Sequence, residues 1–182
     1  MSIKYKFRNP DGIYFVTFAV VQWIDVFTRN SYRELFLESL KHCQDNKGLR
    51  IHAYVIMTNH VHLIISSTGE PLEHIMRDLK KFTSVWLIKT IRENSSESRK
   101  EWLLKAFRKA GSRNPNNKVY QFWRQDNHPI EIRSNKMFDQ KLNYIHNNPV
   151  EQGFVTNAED YPWSSVVNFM YGSSVNGIRI IR

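Results

Sequence analysis

Two extended stretches separated by only two residues dominate what this chain can fold into. Leu49 to Met57 and His60 to Ser66 are both rich in apolar and β-branched side chains, and Thr58-Asn59 is all that joins them. So short a connection returns the chain antiparallel beside itself, so the pair reads as a β-hairpin. A third stretch, Ile13 to Val21, is β-branched and aromatic almost throughout, as in a strand buried on both faces. It is the most apolar segment of the chain and far short of the ~20 residues that span a bilayer.

Helical patterns flank the hairpin. Before it, Ser31-Tyr32-Arg33-Glu34 reads as a capping box that opens a helix with Leu35, Phe36, Leu40 and Cys43 on one stripe and Gly48 as its stop. After it, Pro71 suits a first turn, and Leu72, Ile75, Met76, Leu79, Phe82, Val85 and Trp86 recur at helical spacing. Residues 93–118 differ in composition and read as an insertion or mobile loop carrying one short helix around Trp102 to Lys109. Val119 to Arg124 reads as a fourth strand. Ser134 caps a last helix that ends near Pro149, and 150–182 form a C-terminal tail anchored by Trp163 and Tyr171. The whole of 1–182 is then one α+β domain. The expected core is a ferredoxin-like split-βαβ antiparallel sheet with helices on one face, plus an additional C-terminal helix. Such a sheet hosts many unrelated functions, so the choice of function falls to individual residues.

Composition narrows the classes. A single cysteine excludes an intramolecular disulfide framework and any multi-cysteine zinc site, and Cys43 reads as a small buried hydrophobe in a reducing, cytoplasmic setting. The N-terminus carries charges and Pro10 rather than an apolar signal core, and no membrane association is expected. Lys plus Arg exceed Asp plus Glu by 26 − 17, a net charge of +9, which makes a polyanion the first partner to consider.

Two clusters can carry chemistry. His60-Val61-His62 lies on the third strand, where residues i and i+2 share a face, so two imidazoles stand side by side at a spacing that could share a metal. Two half-buried histidines bonded to neighbours would leave the same pattern. Near the end of the last helix, Tyr144 and Asn148 are i and i+4 and share a helical face. If that helix packs beside the third strand, His60, His62 and Asn148 supply three metal ligands with Tyr144 next to them. A packing tyrosine and an Asn-Asn-Pro helix terminator would be the plainer reading of the same residues. Because a residue before proline disfavours helical angles, Asn148 is expected just past the last helical residue.

The stretch Tyr54-Val-Ile-Met-Thr-Asn-His-Val-His-Leu-Ile-Ile65, together with Tyr144-Ile-His-Asn-Asn-Pro-Val150, resembles the single-tyrosine HUH transposases. The Asn-Pro-Val ending, Gly153-Phe-Val155 and Tyr161-Pro-Trp-Ser-Ser165 resemble, more narrowly, the REP-associated tyrosine transposases. Thr58 stands where that family often has proline, and Glu151-Gln152 where a basic and a small residue are common. The resemblance implies that His60 and His62 are a metal pair, Asn148 the third ligand and Tyr144 the nucleophile, with Mg²⁺ or Mn²⁺ as cofactor. It implies cleavage and rejoining of single-stranded DNA, folded into hairpins at palindromic repeats, through a 5′-phosphotyrosine. Relatives act as monomers or as homodimers that exchange the tyrosine helix, and both are compatible with this sequence.

Such chemistry needs a phosphate whose charge is neutralised and a nucleophile in line with the leaving oxygen. A tyrosine, with an ordinary pKa of about 10, gains by attacking a phosphate already polarised by metal. Lys141, one turn before Tyr144, is a candidate helper. Lys4, Lys6 and Arg8 form a basic arm, Arg77, Lys80 and Lys81 a basic helix face, and Arg124 a further cation, all candidates to follow a DNA backbone. A non-catalytic nucleic-acid-binding module on the same sheet is the competing class. It explains the charge but leaves the His-x-His and Tyr-x-x-x-Asn spacings as coincidence, and the aromatic motif usual on such sheets is missing from the first and third strands.

Overall fold

The strand pairings follow from the hairpin outward. The computed structural model describes residues 6–115, 119–125, 127–172 and 175–182. β2 (Leu49–Ile56) and β3 (His60–Ser67) pair antiparallel across the Thr58-Asn59 turn. β1 (Ile13–Ala19) pairs antiparallel with the other edge of β3, and β4 (Ile130–Ile132) closes the sheet in the order β2-β3-β1-β4. The expected split-βαβ sheet, with the first and third strands at its centre, is the one observed. A register shift at His52 lets β2 change parity. Leu49 and Ile51 before it, and Tyr54 and Ile56 after it, all reach one core, while Ala53, Val55 and Met57 reach the other.

The larger core lies between the sheet and three helices. α1 (Asn30–Lys47) and α2 (Leu72–Glu93) cover Tyr14, Val16, Phe18, Val61, Leu63 and Ile65. Gly48 ends α1 in the left-handed region at φ 75, the conformation a helix stop favours in glycine. The capping box does not form. α1 starts two residues early, after an extended Arg29 whose guanidinium is drawn away to Glu97, and no side chain caps it. Nor does the stripe of α2 stay apolar-inward. Its buried positions move on to Thr83, Leu87, Ile88 and Ile91, and Phe82, Val85 and Trp86 face outward.

Segment 93–118 contains α3 (Lys100–Ser112), which buries Leu103 and Phe107 in the larger core. Its described part is therefore built into the fold rather than looped out. Gly111 permits the closest approach, since a Cβ there would stand 2.5 Å from the Val119 carbonyl oxygen. Residues 119–124 are not a strand. Phe122 and Trp123, adjacent in sequence, are both buried on the same core, which the alternation of a strand does not allow. Trp123 makes one isolated bridge to Val20 and donates its indole N–H to Thr83 Oγ1. The strand's place is taken by β4, three residues long and preceded by Pro129.

The second face of the sheet carries Phe15, Ala53, Val55, Met57 and Ile64 and is covered by α4 (Asn135–Glu151) through Ile145. The tail then runs along the open edge of β2. The Ile56 N–H donates to the Trp163 carbonyl, the Ser165 N–H to the Tyr54 carbonyl and the Ile181 N–H to the Ile51 carbonyl. Trp163 packs as expected, but Tyr171, at the exposed end of a short helix, is 75% exposed. Tyr161, whose hydroxyl donates to the Ile56 carbonyl, is the second anchor instead.

One buried charge ties the α2–α3 connection to the rest. The Glu97 carboxylate accepts from Arg29 Nε at 2.8 Å, Arg99 Nε at 3.1 Å and the Tyr32 hydroxyl at 3.2 Å. Burial alone would raise its pKa, but the hydrogen bonds from Arg99 and Arg29 prevail and pull it down from 4.5 to about 2. A depressed carboxylate stabilises the fold fully above its unfolded pKa and loses that contribution as pH falls through the folded one. Glu97→Gln should therefore lower stability at pH 7 by about 3 kcal/mol. The difference from wild type should shrink between pH 4.5 and pH 2, as read by urea unfolding across that range.

Candidate active site

The turn between β2 and β3 orients the first histidine. Asp25 Oδ1 accepts from the Thr58 hydroxyl at 2.6 Å and from Asn59 Nδ2 at 3.1 Å. With its amide hydrogens turned to a carboxylate, Asn59 presents its carbonyl oxygen to His60 Nδ1 at 2.6 Å. That oxygen only accepts, so Nδ1 carries the proton and the Nε2 lone pair of His60 is left open. His62 lies two residues on, its ring centroid 4.7 Å from that of His60. Its Nδ1 is 2.8 Å from Oγ1 of Thr17, its cross-strand partner on β1, and Phe15 stacks against it at 5.2 Å. A Thr17 oxygen accepting from Nδ1 leaves Nε2 as the acceptor that faces the Tyr144 hydroxyl, the usual way a ligating imidazole is held from behind.

Both rings are buried and neutral. Burial pushes His60 down to about 4, against the weaker upward pull of the Asn148 amide and the Asp25 charge. Burial, the neighbouring His60 and the Lys141 ammonium push His62 down to about 3. Neutral imidazole is the form that binds metal.

α4 brings the remaining groups. The Ser134 hydroxyl accepts from the Met137 N–H, as its capping position predicts. Ile145, fully buried against the second face, fixes the rotation of the helix. Tyr144 and Asn148 then fall together on the flank beside the histidines. The Tyr144 hydroxyl lies 3.4 Å from His62 Nε2, yet the residue is 41% exposed, so it is open to a substrate. Asn148 is only 3% exposed, and its Oδ1 has no hydrogen-bond partner. It does not lie past the helix end, because α4 continues through Pro149 to Glu151. Proline at the last turn forfeits one N–H, and the end is closed by the Gln152 N–H donating to the Asn148 carbonyl and the Phe154 N–H to the Pro149 carbonyl.

A buried, unpartnered carbonyl oxygen costs about 1–3 kcal/mol. Beside two neutral imidazoles with open nitrogens, it fits a divalent cation of the Mg²⁺ or Mn²⁺ kind. Among the described residues no three His, Cys, Asp or Glu side chains converge, so a cation here needs the amide as its third protein ligand. Lys141 Nζ stands 4.7 Å from the Phe15 ring and 5.9 Å from the Tyr144 ring, at the rim. His146 points away, bonded to Ser165 Oγ at 3.0 Å.

The other basic candidates are dispersed. Lys4 lies outside the described residues. Lys6 and Arg8 are exposed on the N-terminal arm. Arg77 and Lys81 are exposed on α2, across the sheet from the histidines, and Arg77 is paired with Asp78. Lys80 is a structural tie, donating to the carbonyls of Arg124 and Gln125 and to Asn127 Oδ1. Arg124 lies over the Trp23 ring at 5.4 Å. Sequence reasoning missed Asp25, Asn59, Thr17 and Trp23. Asn59 could have been found from its place beside His60 in a two-residue turn, whereas Thr17 becomes visible only through strand register.

The chain matches the family described as IS200-like transposase over residues 13–107, just over half of its 182 residues. The matched stretch holds both histidines, and Tyr144 and Asn148 lie beyond it. The chain is also similar to the solved structure of a REP-associated tyrosine transposase bound to a REP hairpin. Identity is 19%, the TM-score is 0.65 and all of both chains is covered, a likeness of fold. No curated protein matches.

Because Asn148 Oδ1 is buried without a partner, Asn148→Leu should stabilise the metal-free protein by about 1 kcal/mol. Thermal unfolding in EDTA reads that gain. Titration with Mn²⁺ should then raise the midpoint of wild type and leave that of the variant unmoved.

Proposed function

Because this chain belongs to the IS200-like transposase family, we propose that it is a metal-dependent single-stranded DNA endonuclease and strand transferase of the single-tyrosine HUH kind. The observation that carries this reading is the exposed Tyr144 hydroxyl 3.4 Å from the Nε2 of a buried, neutral His62, with an unpartnered Asn148 oxygen one helical turn away.

His60 Nε2, His62 Nε2 and Asn148 Oδ1 would hold Mg²⁺ or Mn²⁺, which when bound neutralises and aligns the scissile phosphate. Tyr144 supplies the nucleophile. Its oxygen attacks phosphorus, a Tyr–O–P bond forms, the P–O3′ bond breaks, and the phenolic proton is balanced by the one the departing 3′ oxygen takes up. The 5′-phosphotyrosine conserves the bond energy, so a second 3′-OH reverses the step without a nucleotide cofactor. Lys141, its ammonium 5.9 Å from the Tyr144 ring, is placed to offset the charge of a phosphate brought to the tyrosine. Thr17, Asn59 and Asp25 act by holding the two imidazoles.

A DNA hairpin at palindromic repeats is the proposed substrate class. The net charge of +9 supports a polyanion, and the REP hairpin held by the similar solved structure supports a folded single strand. Tyr144 stands 3.4 Å from the His62 of its own chain, which supports a site completed within one copy over one completed by exchange of α4.

Labelled hairpin DNA with single-stranded flanks, mixed with protein and Mn²⁺, should give a covalent adduct that survives a denaturing gel. The adduct should be lost in EDTA and in Tyr144→Phe. Binding of the same DNA with no adduct in any metal would replace this reading with that of a binding module. Lys141→Ala should slow adduct formation about tenfold. An unaltered rate would remove Lys141 from the chemistry.

A further inference from the structure

We propose that the cleft between Trp23 and Arg124 is a binding pocket for an unpaired nucleobase of the DNA strand that Tyr144 cuts, an inference that rests on the strand-cleavage reading above. The cleft has a volume of about 640 Å³, within the range of small-molecule sites, and is lined by Thr17, Trp23, Arg113, Gln121, Arg124 and His128. It shares a wall with the histidine pair. Thr17 meets His62 Nδ1 through its hydroxyl, and the Trp23 ring meets His60 edge-on at 5.7 Å. A strand whose phosphate lies at the histidines thus has its next nucleotide at the mouth of this cleft.

The lining suits a base rather than a metabolite anion. The Trp23 indole is 49% exposed and carries the Arg124 guanidinium 5.4 Å from its ring centroid. An aromatic face and a guanidinium plane are the two surfaces on which unpaired bases stack, and Arg113 and Arg124 add charge for the backbone. Trp23 is also held at a cost. It sits at φ 55 after Gln22 at φ 57, and His128 across the cleft sits at φ 42. Among the described residues, Asn176 is the one other non-glycine residue with positive φ. A bulky side chain in the left-handed region is strained, and strain of this kind gathers at binding and catalytic sites.

The wall formed by residues 121–125 is already fixed in shape. Lys80 ties down the carbonyls of Arg124 and Gln125, the Arg124 N–H donates to the Ala19 carbonyl, and Gln121 Nε2 donates to the Trp123 carbonyl. A base therefore enters a site that need not be assembled on binding. Lys80 is in this sense a positioning residue.

The test is binding, in EDTA, of a DNA hairpin whose single-stranded flanks are equimolar base mixtures with one position at a time made abasic. For wild type, one flank position should weaken binding about 5- to 150-fold when abasic. Trp23→Ala should bind the intact hairpin about as weakly and be indifferent to that position, whereas Trp23→Phe should keep most of the sensitivity. Circular dichroism verifies that the variants fold. Wild-type binding indifferent to every abasic position, or Trp23→Ala as sensitive as wild type, overturns the proposal. Adduct formation by wild type with Mn²⁺ is read in parallel. Base sensitivity without an adduct removes the cleavage reading and keeps the pocket, an adduct without base sensitivity removes the pocket alone, and no binding removes both.

Discussion

β3 is buried on both faces, and the site depends on that constraint. Val61, Leu63 and Ile65 enter the larger core, while His60, His62 and Ile64 lie on the face that α4 covers. A slip of one residue would drive two imidazoles into hydrocarbon and bring three aliphatic side chains beneath the tyrosine helix. Burial of the aliphatic set thus aims the histidines. The strand is also central, paired along both edges, so neither edge is free to shift. Packing and chemistry are two readings of a single alternation.

The turn ahead of β3 is fixed just as firmly, and from a distance. Glu97, buried in the α2–α3 connection, holds Arg99, and Arg99 Nη1 donates to the Asp25 carbonyl at 2.7 Å. The Asp25 side chain gathers Thr58 and Asn59, and Asn59 sets the tautomer of His60. The Phe27 N–H to the Thr58 carbonyl and the Val20 N–H to the Asn59 carbonyl lock the same turn through the main chain. A segment whose composition suggested an appendage is thus the far end of a chain of hydrogen bonds that ends on a candidate metal ligand. Thr58 contributes the hydroxyl that meets the Asp25 carboxylate in this turn.

The long periodic elements and the paired motifs were legible in the sequence because each rests on local geometry. His60 and His62 share a face by strand period, Tyr144 and Asn148 by helical period, and neither needs the rest of the fold. What was not legible depends on tertiary placement. β4 is three residues with a charged residue at its middle, too short for any period to register. Phe122 and Trp123 look like a strand by composition but are adjacent plugs of one core. Lys80 reads as a free cation until the 124–127 loop comes within reach of its ammonium. Thr17 is one hydroxyl among many until strand register sets it opposite His62. Asn148 lies inside α4 rather than past its end because the rule against helix before proline is a preference, and the turn after Pro149 supplies other donors.

Costs to stability gather at one end of the central strands. Two imidazoles are buried there without charge, one carbonyl oxygen is buried without a partner, and Gln22 and Trp23 hold adjacent left-handed conformations. Each alone could be an accident of packing. Their proximity argues otherwise, because a fold under selection for stability alone would relieve each of them with an ordinary substitution: leucine for the asparagine, glycine for the tryptophan, valine for a histidine. The two large cores, whose side chains are satisfied and almost wholly buried, can carry that burden. The Asn148 amide reaches His60 from one side, and the strained indole leans on that ring from another. A ligand that meets both at once, a phosphate at the histidines and a base against the indole, is a nucleotide within a strand, the substrate class proposed above.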